Sequence, residues 1–204
     1  MSTSPRTNNI RAFADKVPEI NLMAFVDDTV VIIGDVSIEK GAMIFPGVLI
    51  RADDDYVLVS EGSAILDRAF MEAPAGNPVI IGKGSIVSHG AIIHGAKIGN
   101  NTLVGIGATV LDGAVIGNNC TVAAGSLIPP GKVIDDDSVV MGIPAKKVRN
   151  ANKDDAKRLA KELKILTGKS RIYMGDFKSK DIRNLPKLKK KRKTPFMEID
   201  FRDE

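Results

Sequence analysis

The chain has 204 residues, enough for one core with appendages, and a hydrophobic fraction of 44 % with only 4 % aromatics and no tryptophan demands a core of Val, Ile, Leu and Ala. A formal charge of +4 would suggest nucleic acid if it were spread over the body, but much of the excess sits in one run, Lys187 to Lys193, which reads as a solubilising tail. The single Cys120 excludes an internal disulfide, and Met1 to Pro18 lacks the apolar stretch of a signal peptide or membrane anchor, so the expected location is the cytoplasm, with no membrane partner.

Residues 1–24 read as a lead-in. From Val26 onward an aliphatic residue recurs every six positions: Val26, Ile32, Ile38, Ile44, Ile50, then Val59, Ile65, Met71, then Ile80, Ile86, Ile92, Ile98, Val104, Val110 and onward to Val140. A period of six makes three short strands per turn of a triangular coil, each aliphatic stacking on its counterpart one turn away. An amphipathic helix needs spacings of three and four instead. The expected fold of residues 25–150 is therefore an all-β solenoid, a left-handed parallel β-helix, with corners at dipeptides such as Ile98-Gly99 and Ile116-Gly117. The frame slips by three residues between Ile50 and Val59 and again between Met71 and Ile80, so two loops should bulge there, where function tends to lie.

Met141 to Val148 should close the end of the coil. Residues 151–168 carry a helical stripe of Ala156, Leu159, Ala160, Leu163 and Leu166, which must lie against the coil or a neighbouring subunit to be buried. Residues 169–204 form an extended basic tail, expected to be partly mobile, ending in a candidate docking strand from Phe196 to Phe201.

His89 and His94 are the only histidines and stand five positions apart. That spacing is expected to set them on adjacent sides near one corner, unable to share a metal within a chain. In a threefold assembly His94 of one copy would face His89 of another. On spacing alone the plainer reading is a pair of surface or interfacial imidazoles with hydrogen-bonding roles.

Arg51-Ala-Asp53, Asp67, His89-Gly-Ala-Ile-Ile-His94-Gly95, Ile98 to Gly105, Ala108 to Gly117 and Met141-Gly-Ile-Pro-Ala-Lys146 together resemble the γ-class carbonic anhydrase family over about residues 25–150. The resemblance implies a homotrimer with interfacial zinc sites that hydrate carbon dioxide reversibly to bicarbonate. Each family site uses three histidines; His89 and His94 match two of them, and Glu72 stands where the third is expected. The implied ligand set is thus His89, His94 and Glu72, holding Zn2+, with Fe2+ or Co2+ as substitutes. Arg51, Asp53 and Asp67 match residues that organise the interface and the surroundings of the site, and Asp54 takes the place of an acidic residue of proton transfer. Asp53, Asp54 and Asp55 also read as a solvated acidic loop.

Two departures bear on that activity. Glu72 adds negative charge at the metal, and Leu66 replaces a glutamine that bonds the metal-bound water, so hydration should be slow or shifted to alkaline pH. Two alternatives stand beside it: a hexapeptide-repeat acyltransferase or coenzyme A thioester enzyme, with His89 or His94 as general base, and a non-catalytic trimeric scaffold that docks partners through its basic tail.

Overall fold

The computed structural model describes residues 9–175, over which short parallel strands wind into a left-handed coil of triangular section. The basic run and the Phe196 to Phe201 segment lie outside the described residues. Three sides alternate. The first carries Phe70–Glu72, Ile92–His94, Thr109–Val110 and Leu127–Ile128. The second carries Val79–Ile81, Lys97–Ile98, Val115–Ile116 and Val133–Ile134. The third has seven strands, from Phe25–Val26 to Ser138–Gly142, and so counts about seven turns.

Two long strands, Val31–Ile38 and Leu49–Val59, run around the corner and join the first side to the second. The expected first loop is therefore an extended corner: the extra residues stay in strand conformation and carry Asp53 and Asp54 outward. Gly34 is obligatory beneath it, because its φ is +85° and a Cβ there would collide with the Ala52 carbonyl. The lead-in is also part of the solenoid, since Ile10–Arg11 and Glu19–Ile20 both pair with Val31–Ile38.

The core is the stack of inward aliphatics, but its frame differs from the expected one over three positions. Ile81, Val87 and Ile93 point inward with no exposure, while Ile92 is 39 % exposed and Ile86 packs outward beneath the helix. Met71 pairs with Ile93, and Ile93 with Val110, so one turn takes twenty-two residues and the next only seventeen. The second slip is thus four residues, and the coil recovers by shortening the corner between Ile93 and Ile98. Each of Ile80, Ile86 and Ile92 has an apolar neighbour at the next position, so the period alone did not decide which one enters the core.

The corner between the second and third sides holds a buried ladder of Ser63, Ser85, Thr102, Cys120 and Ser138. The Ser63, Ser85 and Thr102 hydroxyls donate to the Gly82, Gly99 and Gly117 carbonyls at 2.7, 2.7 and 2.9 Å, and Cys120 Sγ lies 3.2 Å from the Asp135 carbonyl. These bonds satisfy backbone oxygens that would otherwise be buried unpaired. Cys120 is a small, buried corner residue.

Ala145–Asn150 folds back antiparallel on Ser138–Gly142 and closes the last turn. Helix α1 follows at Lys153–Tyr173, five residues beyond the expected end. Asn152 caps it in a reciprocal box with Asp155. Leu159, Leu163 and Leu166 settle on Phe25, Met43, Phe45, Ala64 and Ile86 of the third side, whereas Ala156 and Ala160 of the expected stripe remain exposed. Tyr173 extends this packing, 5.6 and 6.1 Å from the Phe25 and Phe45 rings. Among the described residues no helix is long and apolar enough to cross a membrane.

Candidate functional site

Parallel pairing places residues of successive turns side by side, so a site can be assembled from positions far apart in sequence. On the first side Arg51 pairs in register with Glu72, and Glu72 with His94. All three project outward at the edge nearest the second side, because each follows an inward-facing residue: Ile50, Met71 and Ile93.

The side chains there form one connected network. The Arg51 guanidinium is ion-paired with Glu72 Oε1, and its Nε lies 3.5 Å from Asp53 Oδ2. Proximity to Glu72, with Asp53 and Asp54 nearby, raises the Arg51 pKa further above its usual range. The second Glu72 oxygen faces His94 Nε2 at 3.7 Å. On its other edge the His94 ring is bonded, Nδ1 to Asp112 Oδ1, at 2.6 Å. Sequence reasoning passed over Asp112, whose aspartate in a Leu-Asp-Gly corner carries no signal until the register of turns is known.

The acidic corner is anchored as well. Lys16 Nζ donates to the Asp53 and Asp54 carbonyls at 2.7 and 2.9 Å, tying the lead-in to the edge of the site. Asp53 Oδ1 is shielded from solvent with no hydrogen-bond partner among the described residues, so Asp53 is more than a solvated loop residue. Asp54 remains exposed. Leu66 is buried in the cluster beneath α1, which accounts for its apolar character.

His89 stands elsewhere. It occupies the corner between the third and first sides, its Nδ1 3.0 Å from Asp67 Oδ2, whereas His94 lies at the opposite corner of the first side. The expectation that the two histidines share one corner is thereby corrected: five residues here span a whole side. Among the described residues of one chain no three His, Cys, Asp or Glu side chains converge as a metal set. His94 Nε2 and Glu72 Oε2 are two donors of a kind that cations accept, and the Arg51 charge beside them opposes a cation there.

Beside α1 runs a crevice of about 530 Å3, lined by Leu103, Cys120, Asn119, Asp137, Arg158 and Leu163 among others. None of the site residues reaches it.

Residues 95–130 match the family model described as bacterial transferase hexapeptide (six repeats). The chain is 37 % identical over 166 residues to carnitine operon protein CaiE of Escherichia coli K12, covering 80 % of this chain and 85 % of that one. A solved hexapeptide transferase family protein from Anaplasma phagocytophilum is 34 % identical, with a TM-score of 0.76 over 79 % of this chain and 96 % of its own. A Bacillus cereus protein provisionally described as an acetyltransferase is 29 % identical, with a TM-score of 0.79 over 81 % of this chain and 96 % of its own. These similarities favour the transferase side of the sequence reading over carbon dioxide hydration.

Proposed function

Since this chain belongs to the bacterial hexapeptide-repeat transferase family, we propose that it is an acyltransferase acting on a thioester such as an acyl-coenzyme A, with His94 as the general base. The observation that carries the reading is the placement of His94. Its Nδ1 is engaged by Asp112, and its Nε2 lies on the outer face of the coil beside Glu72. Such an imidazole takes the proton of an acceptor hydroxyl, amine or water as that group attacks the thioester carbonyl. The carbon–sulfur bond then breaks, and the proton passes from His94 to the departing thiolate. Glu72 stands where the transient imidazolium carries its charge.

The site works between coils of a homotrimer. An outward row on the first side, Leu49, Phe70, Ile92, Thr109 and Leu127, is apolar but for Thr109 and only partly covered, which suits a self-association face beside the His94 edge. A neighbouring copy seated on it would bring its own His89 corner toward that edge.

The test is release of free thiol from acyl-coenzyme A in the presence of a panel of acceptors. Carnitine heads the panel, because the Escherichia coli relative is named for a carnitine operon and carnitine offers a hydroxyl to acylate. His94→Ala should lower turnover by roughly 10²–10⁴-fold. Activity unaffected by that change would refute the assignment.

The facing of His94 Nε2 and Glu72 Oε2 supports a second reading. Zn2+, Fe2+ or Co2+ held by this pair and by His89 of another copy would supply an activated water for carbon dioxide hydration. Stoichiometric metal in the purified trimer, lost together with hydration in His94→Ala, would favour it; a metal-free trimer that turns over thioesters would dismiss it.

A further inference from the structure

We propose that Asp112 is a positioning residue that holds His94 in the tautomer with its proton on Nδ1, and that the shortened corner at Gly95 is what brings the two side chains together. A carboxylate oxygen accepts hydrogen bonds, so the 2.6 Å contact places a proton on Nδ1, and in the neutral ring the Nε2 lone pair is then free. Neutral imidazole in water prefers the opposite tautomer, so the proton has been moved to suit the outward nitrogen.

The geometry explains how this arises. Ile93 pairs with Val110, which sets His94 level with Leu111 and Asp112 level with Gly95. To reach the ring the Asp112 carboxylate has to pass over the Gly95 backbone. A Cβ at residue 95 would stand 2.6 Å from Asp112 Oδ1, 2.8 Å from Asn77 Cβ and 3.2 Å from Pro74 Cγ, and the φ of +59° disfavours any side chain there. Gly95 is held in place by its own amide donating to the Glu72 carbonyl at 2.9 Å and by the Gly113 amide donating to its carbonyl at 2.7 Å. The four extra residues after Glu72 supply Pro74 and Asn77 as the outer wall, and the corner that recovers the frame supplies the glycine. The irregular part of the coil is therefore the device that orients His94.

The tautomer assignment is independent of which reaction the site performs; its effect on turnover rests on the acyl-transfer reading. The experiment is 15N spectroscopy of the two imidazoles in the full chain, with His89 identified by a His89→Gln variant. The wild-type protein should show neutral His94 protonated on Nδ1. Asp112→Asn keeps an acceptor oxygen and should retain that form, while Asp112→Ala and Gly95→Ala should shift His94 toward the Nε2-protonated form. Thioester turnover should fall about 10–100-fold in Asp112→Ala at little changed KM, with Asp112→Asn between it and wild type. A wild-type His94 protonated on Nε2, or a folded Asp112→Ala with an unaltered tautomer, would overturn the proposal. The expected tautomers in a protein inert to thioesters would instead overturn the acyl-transfer reading and leave the positioning role standing.

Discussion

Arg51 and Glu72, twenty-one residues apart in the chain, stand opposite each other on adjacent turns and share an ion pair at the edge of the first side. One carboxylate oxygen is held by the guanidinium and the other faces His94 Nε2 at 3.7 Å. Arg51 thus holds Glu72 beside the imidazole, with one carboxylate oxygen committed to the guanidinium.

Replacing Arg51 by Gln should have little effect on the fold, less than about 1 kcal/mol, because the pair is half exposed. It should nevertheless lower thioester turnover about tenfold, as Glu72, released from the guanidinium, stabilises a proton on Nε2 and leaves no lone pair for the acceptor's proton. Glu72→Gln in the same background should restore part of the loss, a coupling that a double-mutant cycle of turnover measures. Additive effects would mean that Arg51 acts separately from Glu72.

The solenoid was legible because a six-residue aliphatic frame fits neither the spacing of an amphipathic helix nor the plain alternation of an ordinary strand. Arg51, Asp53, Glu72 and His94 were legible as one neighbourhood through a family pattern. The pairing of His94 with Asp112 was not. It depends on a turn of seventeen residues, and that length is hidden where two adjacent aliphatics, such as Ile92 and Ile93, compete for the inward position. The separation of His89 from His94 has another cause: five residues of a six-residue side span nearly all of it, so the two histidines fall at its opposite corners.

The revised frame makes Ile92 and Ile93 opposite in kind. Ile93→Ala opens a cavity in the core and should destabilise the coil by about 2–5 kcal/mol. Ile92→Ala should leave the unfolding of an isolated subunit within about 0.5 kcal/mol of wild type and act on assembly instead. Denaturant unfolding and sedimentation of both variants separate the two effects. A larger loss of subunit stability from Ile92→Ala would restore the uninterrupted six-residue frame.

Cys120 stands in a ladder otherwise made of hydroxyls, and burial pushes its thiol pKa up. The native protein should therefore resist thiol reagents near neutral pH and react only on unfolding. Cys120→Ser keeps the bond to the Asp135 carbonyl and should change stability by no more than about 0.5 kcal/mol. Rapid labelling of the native protein would show that the corner opens.

Asp155 joins α1 to the end of the coil. Arg149 donates to both of its oxygens, at 2.6 and 2.9 Å, Arg158 adds a bond at 2.6 Å, and the Asn152 amide donates at 2.9 Å. The Arg149 bonds, helped by the Asn152 amide, hold the Asp155 carboxyl well below the usual carboxylate range despite the opposing effect of burial. A depressed folded pKa contributes stability that is fully present above the unfolded value of about 3.9 and lost as pH falls through the folded one. Asp155→Asn should therefore loosen α1 at pH 7, seen as faster amide exchange across Lys153–Tyr173 and a lower unfolding midpoint, and the gap from wild type should narrow below about pH 4. A gap that stays constant down to pH 2 would show that packing of Leu159 and Leu166, rather than this ion-paired cap, fixes the helix on the third side.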